Sequence, residues 1–431
     1  MGDTRARPVH GASPEFFKRT IRMNLRRVFI TAAALAAVVG LTPCRAAGDS
    51  TDPIKIGVPV SLSGTYAVSG KGLRDTFNMW ADWVNAKGGL QVGSVKRKVN
   101  LIFADDRSDP NTAQQLTKNF IDNDKVDFMF GPFSSDLTMG ASVVSERANI
   151  IMMAGGSSGS QVFSRGFKNI FTTWAPTNYW ARSTIDVLAK EGLKTMAIMA
   201  SLEGAYAVMP KEAKAYAESK GIKVVSLQQV SQTTSDVTGP MLQIKAARPE
   251  LFMVMTNSIP LEGLVASTAR TIAFTPDWYW TANASLAADV AAYRSKADLD
   301  TLMSPVPFQA SSALKGKYFT SEGWLKSYNE KYGPITNTST PTSFACAVIL
   351  GEAIEKAGSV DTDKVRHVLE NTTFDTFMGE IRFSPMNDPS GLAHMALSRS
   401  IPTVQWQDGK LMSIAPASAA DAKPVKFKPW K

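Results

Sequence analysis

Hydrophobic positions along the chain follow two alternating spacings from residue 54 onward. Short apolar runs predict strands, and the segments between them, with an apolar residue at every third or fourth position, predict helices. The first strand is predicted at Ile54–Val60 and the first helix at 72–85, where Leu73, Phe77 and Trp80 share one face. The same rhythm continues in strands at 99–103, 127–130 and 149–153 and in helices at 111–122 and 137–147. Strands that alternate with helices of this length predict a parallel, doubly wound sheet.

The rhythm begins again after the loop at 174–178. Strands are predicted at 195–200, 223–227 and 252–255, and helices at 211–220 and 239–247. The end of the chain adds helices at 341–357 and 362–371, strands at 380–383 and 404–406, and a loose tail at 425–431. Two similar sheets in tandem predict an α/β fold of two lobes with a cleft between them.

The start of the chain has the three parts of a secretory signal peptide. Arg26 and Arg27 precede an uncharged run at 28–41, which is too short to span a bilayer comfortably as a helix. Small residues then allow cleavage after Ala46. We therefore predict a leader at 1–46 with the signal peptide at 23–46, and export of the remainder.

Composition describes an ordinary soluble globular protein, with 44% hydrophobic and 20% charged residues. The formal net charge is +9, but residues 1–46 hold eight Lys or Arg and two acids, which leaves about +3 on the remainder. Nucleic acid is therefore not an expected partner. The roughly 385 residues after the leader suit two domains better than one core.

Two turns rich in glycine and serine follow predicted strands of the first sheet, at 131–136 and 155–159. Ligands of open α/β sheets bind at the carboxyl ends of the strands. Free N–H groups at a helix start, together with serine hydroxyls, favour a small carboxylate or another acceptor. Plain helix capping is the alternative for each turn.

The second turn also fits the pattern G-x-S-x-G of serine hydrolases, with Ser157 as nucleophile. Only His367 and His394 could then supply the base. His367 is expected on the solvent side of a helix, and no acid lies at a sequence spacing from His394 that would indicate a catalytic triad. A secreted serine hydrolase therefore stays an alternative, and the chain is not predicted to be an enzyme.

No cofactor or metal site is predicted. The chain has no H-E-x-x-H, C-x-x-C, Walker loop or G-x-G-x-x-G pattern. Asp105, Asp106 and Asp109-Pro110 could form a cation site, but Asp before Pro after a strand favours a turn and a helix start. Among the aromatic residues, Tyr66, Trp174 and Tyr206 lie in polar loops, where a large ring is typical of a ligand wall.

Several motifs, in order and spacing, resemble the type I periplasmic solute-binding proteins of ABC importers, in their leucine/isoleucine/valine-binding branch. The motifs lie at 56–64, 85–89, 105–110, 378–383 and 408–410. The likeness covers nearly all of 54–410.

The resemblance implies two doubly wound α/β lobes, joined by three hinge crossings, that close on a ligand. Lobe one would combine 52–175 with 304–380, and lobe two 176–303 with 381–424. It also implies a periplasmic monomer that binds a small molecule and passes it to an inner-membrane ABC permease. A ligand-sensing domain for a receptor partner shares this fold and is a further alternative.

The resemblance also implies site residues. A ligand carboxylate would be held at Ser135 and Ser157, beside Gly155 and Gly156. The other expected members of the site are Tyr66, Phe133, Trp174, Asn178, Tyr206, Asn257 and Asn283. Amino-acid binders of the family use an acid in lobe two for the ligand ammonium, and 281–284 contain none. Because a buried ammonium without a countercharge is costly, we expect a carboxylate or amide ligand without an obligatory ammonium, with amino acids close behind.

Overall fold

A computed structural model of the chain describes residues 50–285, 293, 295–308, 315–397, 401–416 and 420–430. The predicted leader lies outside these ranges. Among the described residues, no helix combines the length and the apolar content needed to cross a membrane.

Strands and helices alternate over most of the described chain. The strands are β1 (Ile54–Val60), β2 (Leu90–Val92), β3 (Val95–Arg97), β4 (Val99–Asp105), β5 (Phe128–Phe130), β6 (Met152–Met153), β7 (Ile170–Phe171), β8 (Thr195–Ser201), β9 (Lys223–Val230), β10 (Leu251–Met255), β11 (Trp278–Thr281), β12 (Met303–Pro305), β13 (Phe374–Thr376), β14 (Gly379–Ile381), β15 (Thr403–Gln407) and β16 (Lys410–Ala415). The α-helices are α1 (Ala67–Ala86), α2 (Pro110–Asn119), α3 (Ser135–Arg147), α4 (Ser160–Phe163), α5 (Arg182–Lys190), α6 (Met209–Ser219), α7 (Thr238–Ala247), α8 (Ile259–Thr271), α9 (Ser321–Tyr332), α10 (Ser339–Ala357) and α11 (Thr362–Asn371). A π-helical turn at Phe120–Asp124 extends α2, and 3₁₀ helices lie at Thr177–Tyr179, Gly204–Ala207 and Lys296–Leu299.

The first sheet consists of five parallel strands in the order β4-β1-β5-β6-β7. Strand β1 matches its predicted bounds, and its register with β4 runs from Ile54 opposite Val99 to Val60 opposite Asp105. Asp109 begins α2 as predicted, because its carboxylate accepts a hydrogen bond from the N–H of Thr112 at 2.7 Å. We call this sheet, with the helices and segments that share its core, lobe one.

The second sheet, the centre of lobe two, has the order β16-β15-β12-β11-β10-β8-β9. The strands from β12 to β9 are parallel, as predicted, but β15 and β16 add an antiparallel edge. The reversal occurs at Asp408 and Gly409, whose φ angles are 50° and 76°. An Asp-Gly pair adopts this left-handed conformation readily and reverses the chain within two residues.

Helix α10 forms the core of lobe one together with α1. Every residue from Ser339 to Ile354 is buried, so the helix is enclosed on all sides rather than amphipathic. Gly351 allows the close approach: a Cβ there would lie 3.2 Å from the Trp80 ring. Trp80 in turn packs edge-on against Phe130 of β5. The helix predicted at 341–357 is thus confirmed, and it packs in one core with α1 and the strands of the first sheet.

The chain passes between the two sheets three times, after β7, after β12 and after β14. After β14, Phe383 and Ala396 still belong to the core of lobe one, and Met395 pairs with Thr172 next to β7. The lobe boundaries given above stay predictions, and these contacts favour a return to lobe two after Ala396 rather than at 381.

The prediction of a loose tail is wrong for residues 425–430. Phe427 is buried, and its N–H donates to the carbonyl oxygen of Asp277 at 2.8 Å. Trp430 donates from Nε1 to the carbonyl oxygen of Asp298 at 2.7 Å. Both rings pack on Tyr279 of β11, so the segment is held by the burial of two aromatic side chains.

Candidate functional site

The segments that follow six strands, three in each lobe, meet around one cavity. In lobe one these are the segments after β5, β6 and β7, and in lobe two those after β8, β10 and β11. The cavity has a volume of about 30 Å³. It is lined by Phe133, Ser134, Ser135, Gly156, Ser158, Trp174, Trp180, Ala205, Tyr206, Asn257, Asn283, Asn337, Thr338 and Ser339. Both sheets thus present the carboxyl ends of their parallel strands to the same space, the usual place for a ligand of an open α/β sheet.

Ser135, at the start of α3, lines this cavity with a hydroxyl of fixed direction. Its Oγ accepts a hydrogen bond from Ser157 Oγ at 3.1 Å and another from the N–H of Gly159 at 3.0 Å. A hydroxyl oxygen has two lone pairs and one hydrogen. Since both lone pairs are engaged, the hydroxyl hydrogen is the group left for a ligand, and its partner must be an acceptor.

Ser157 is fully buried and does not line the cavity. Its N–H donates to the carbonyl oxygen of Ala154 at 3.1 Å, and its own carbonyl oxygen accepts from Thr172 Oγ1 at 2.9 Å. The side chain is therefore held in place to orient Ser135. This arrangement differs from the predicted one, in which both serines touch the ligand.

Gly155 and Gly156 form the tight turn after β6. A Cβ on Gly155 would lie 2.5 Å from Cα of Ser343 in α10, and one on Gly156 would lie 3.0 Å from the carbonyl oxygen of Pro132. The carbonyl oxygen of Gly155 accepts from Trp174 Nε1 at 2.7 Å and from Thr342 Oγ1 at 2.8 Å. Glycine at 155 is required because the turn packs directly on the helix backbone.

Aromatic rings form the wall of the cavity on the side of the first crossing between the lobes. Trp174 stacks on Trp180 at 5.0 Å between ring centroids, and Trp180 meets Tyr206 of lobe two edge-on at 6.1 Å. The hydrogen bond from Trp174 Nε1 to Gly155 ties this wall to the turn after β6. The wall suits an apolar or aromatic part of a solute.

The lobe two wall carries two asparagine side chains. Asn283 donates from Nδ2 to the carbonyl oxygen of Thr256 at 2.8 Å and to Glu262 Oε1 at 3.2 Å. Glu262 also accepts from the N–H of Asn283 at 3.0 Å and from the hydroxyl of Thr281. Residues 281–284 contain no acid, but the structure brings one against them: Glu262 lies 21 residues before Asn283 in the chain, and α8 places it beside that residue.

Tyr66 does not line the cavity but joins the two lobes beside it. Its hydroxyl donates to Asp136 Oδ2 at 3.1 Å and accepts from Gln232 Nε2 of lobe two at 2.8 Å. Burial, and after it the charge of Asp136, raises the pKa of this phenol. Its ring packs edge-on against Phe133, which does line the cavity.

Two further hydrogen bonds cross between the lobes. Gln161 Nε2 donates to the carbonyl oxygen of Gly204 at 2.7 Å, and Ser160 Oγ donates to Glu212 Oε1 at 2.8 Å. With the Tyr66–Gln232 bond, these contacts describe lobes in a closed arrangement.

The structure brings most of the predicted site residues to one place. Those that line the cavity are Ser135, Gly156, Phe133, Trp174, Tyr206, Asn257 and Asn283. Ser157, Gly155 and Tyr66 lie behind them, and the side chain of Asn178 lies outside the described residues. Ser134 and Ser158 lie in the two predicted turns but were not named as site residues, and sequence reasoning missed Trp180, Ala205 and the segment 337–339. That segment is polar and leads into the apolar helix α10, which begins at Ser339, a signal that could have marked it as a helix start near the site.

Comparison with known proteins identifies the family. A family model described as periplasmic binding protein matches residues 53–410. The chain belongs to the periplasmic binding protein family. This confirms the predicted family and two-lobe fold.

Several similar proteins are named as leucine/isoleucine/valine-binding proteins or their homologues. The leucine-, isoleucine-, valine-, threonine- and alanine-binding protein of Pseudomonas aeruginosa is 24% identical over 369 residues, which cover 85% of this chain and 93% of that protein. The substrate-binding protein LivJ from Streptococcus pneumoniae, solved in complex with isoleucine, has a TM-score of 0.71 at 16% identity and covers 87% of this chain and 100% of its own. A solute-binding protein of an ABC transporter from R. palustris, solved with benzoate, has a TM-score of 0.69 at 17% identity and covers 87% of this chain and 100% of its own.

Periplasmic binding proteins are not enzymes, and the environment of Ser157 agrees with this. Its hydroxyl donates to another serine, and its side chain is closed off from the cavity. His394 instead stacks on Phe171 at 4.0 Å, and His367 is exposed on α11. Among the described residues, no group of three or more His, Cys, Asp or Glu side chains is arranged to hold a metal ion.

Proposed function

We propose that this protein captures a small organic solute, a carboxylate, amide or amino acid, in the cavity between its lobes. As a periplasmic monomer, it then delivers the solute to an ABC permease of the inner membrane. The observation that carries the proposal is the Ser135 hydroxyl, whose lone pairs are both engaged and whose hydrogen is left for an acceptor at the cavity. An oxygen of a carboxylate or an amide is such an acceptor.

Capture requires the lobes to separate first. A cavity of about 30 Å³ has room for about two water molecules, which is less than any solute of the proposed class needs. Three hydrogen bonds hold the closed form between Tyr66 and Gln232, Gln161 and Gly204, and Ser160 and Glu212. A solute shifts the equilibrium only by the difference between its affinities for the closed and the open form.

The names of the similar proteins support a carboxylate ligand. LivJ is in complex with isoleucine and the R. palustris protein with benzoate. Isoleucine and benzoate differ in size, shape and charge, but each carries one carboxylate. The Ser135 hydroxyl suits that shared group.

The test is thermal unfolding of the exported protein against a solute panel. The full chain is expressed, purified from the periplasmic fraction, stripped of bound solute by unfolding and refolding, and heated with amino acids, aromatic and aliphatic acids, and amides. Solute at 100 times its dissociation constant adds about 2.7 kcal/mol to the free energy of unfolding, a shift of several degrees. The mass of the purified chain also tests cleavage after Ala46. If no member of the panel raises the unfolding temperature, the proposed solute class is wrong.

Delivery to a permease is tested in cells. Deletion of this chain from its host should abolish uptake of the solute found in the panel, and the wild-type gene should restore it. Uptake that continues unchanged, together with a lost response to the solute, would favour the sensing domain instead.

A further inference from the structure

The amide of Asn283 has only one way to face the cavity. Its nitrogen carries two hydrogens, and these are directed to the carbonyl oxygen of Thr256 and to Glu262 Oε1. Asn283 lines the cavity, so its Oδ1 is the polar atom left for a solute. A carbonyl oxygen accepts hydrogen bonds and cannot donate them.

Asn257 adds a second acceptor to the same wall. Its Oδ1 is buried and has no hydrogen-bond partner among the described residues, although the side chain lines the cavity. Leaving a buried acceptor unpaired costs free energy, so such an atom needs an explanation. A donor on the solute would satisfy it.

Glu262 holds this wall from behind. It is 1% exposed, lies on α8 and does not line the cavity. One of its oxygens accepts from the Thr281 hydroxyl, the Asn283 N–H and the Asn283 amide. Three donors directed at one oxygen fix the orientation of the carboxyl group and of the Asn283 amide that it contacts.

The charge of Glu262 also reaches the cavity. Burial raises the pKa of Tyr206, which lines the cavity, and the Glu262 carboxylate raises it further. Interactions between charges that are removed from water are weakly screened. A positive group on a solute beside Asn283 would therefore be stabilised by a carboxylate that it does not touch.

We propose that Glu262 is a positioning residue that determines specificity: it directs Asn283 Oδ1 into the cavity and selects solutes that carry N–H donors beside their acceptor group. This inference rests on the proposed function and narrows its solute class. It reverses the expectation of a ligand without an ammonium, and it differs from a direct ammonium–carboxylate contact because the acid acts through an asparagine.

The test compares solutes of matched shape in pairs. Each pair has one member with an N–H donor and one without: leucine and 4-methylpentanoate, phenylalanine and 3-phenylpropanoate, and benzamide and benzoate. Dissociation constants are measured by calorimetry on the stripped protein. We expect leucine and phenylalanine to bind at least about tenfold more tightly than their partners, the effect of one hydrogen bond from a charged group, and benzamide, whose N–H is neutral, to bind more tightly than benzoate by a smaller factor.

Variants then separate positioning from a purely structural role. Glu262→Gln keeps an acceptor oxygen for Asn283 but removes the charge, and we expect the affinity ratio within a pair to fall to about threefold or less. Asn283→Leu removes the acceptor itself and should have the same effect. Glu262→Asp keeps the charge and should partly restore the ratio. The control Glu250→Gln changes a carboxylate at the other end of β10, which accepts the N–H groups of Lys194 and Thr195, and should leave the ratio unchanged.

Equal binding within the pairs by the wild type would overturn the inference and leave solute binding intact. An unchanged ratio in Glu262→Gln and Asn283→Leu would also overturn it; if both members of a pair then lost affinity by the same factor, Glu262 would have a structural role only. No binding of any of the six probes would count against the proposed function itself.

Discussion

The hydroxyl of Tyr66 in lobe one accepts a hydrogen bond from Gln232 Nε2 in lobe two at 2.8 Å. The same hydroxyl donates to Asp136 Oδ2 at 3.1 Å, so its orientation is fixed within lobe one before the lobes meet. Tyr66 thus joins the lobes at the edge of the cavity, although the sequence suggested that it touches the ligand.

Gln232→Ala should weaken solute binding without altering the cavity wall. The closed form loses one hydrogen bond, worth about 0.5 to 1.5 kcal/mol, so the affinity should fall by roughly two- to tenfold. Calorimetry with the solute found in the panel measures this change. The control is Gln229→Ala, whose amide donates to the carbonyl oxygen of Ala207 within lobe two. Equal affinities in both variants and the wild type would mean that this bond does not contribute to closure.

Ser135→Ala and Ser157→Ala should differ in severity. Ser135 provides the hydroxyl hydrogen for the solute, and its loss should cost about 1.5 to 3 kcal/mol, or roughly ten- to 150-fold in dissociation constant. Ser157 acts only by orienting Ser135, so its replacement should cost less. Ser145→Ala is the control, since the hydroxyl of that buried serine of α3 donates to the carbonyl oxygen of Ser142 and the residue does not line the cavity. A larger loss for Ser157→Ala than for Ser135→Ala would show that Ser157 itself touches the solute.

The sequence was sufficient for most of the long apolar strands of the two sheets and for most of the cavity wall, because the signals for both are local, whereas the short strands β2, β3, β7, β12 and β13, and also β11 and β16, were not predicted. Strand β1 is a continuous apolar run, and the Gly/Ser turns that follow β5 and β6 are adjacent to their strands in the chain. Residues at the carboxyl ends of parallel strands meet wherever such a sheet forms. The local hydrophobic pattern and the general topology of a parallel sheet are therefore enough to predict which of these residues line the cavity.

The missed features depend on contacts that are distant in sequence. Helix α8 is not among the predicted helices; Ser258 caps it by accepting from the N–H of Leu261 at 3.3 Å. Glu262 acquires its role only because α8 packs beside β11. The segment 337–339 reaches the cavity from the start of α10, more than 170 residues after the turn at 155–159.

His394 should make the protein less stable at mildly acidic pH. Its ring is fully buried, with Glu370 Oε1 3.2 Å from Nε2, and burial, helped by the charge of Arg366, lowers its pKa to about 4. The unfolded chain binds this proton near pH 6.5. Between about pH 6.5 and 4 the unfolded state therefore holds more protons, and the free energy of unfolding should fall by about 3 kcal/mol as the pH decreases through that window.

Urea unfolding at pH 7 and pH 4 measures this loss. His394→Asn has no titrating ring, and asparagine tolerates the φ of 58° at this position. The variant should lose about 3 kcal/mol less than the wild type over the same range. His367→Asn, at an exposed position of α11, should behave like the wild type. An equal loss in His394→Asn and the wild type would contradict the assignment to His394.

Gly155→Ala should destabilise lobe one and disturb the cavity together. The new Cβ would lie 2.5 Å from Cα of Ser343, a backbone atom of a fully enclosed helix that cannot rotate away. Overpacking of this kind costs about 1 to 3 kcal/mol of unfolding free energy. A shift of the turn would also move the carbonyl oxygen that holds Trp174 Nε1, so the solute affinity of the remaining folded protein should fall.

The matched control for this substitution is Gly239→Ala in α7, where no atom lies within 4 Å of the added Cβ. Alanine forms helix better than glycine, so this variant should be as stable as the wild type or up to about 1 kcal/mol more stable. Urea unfolding and calorimetry on both variants separate the two effects. If Gly155→Ala unfolds at the wild-type urea concentration and binds as tightly, the turn does not rest on α10 as closely as the structure places it.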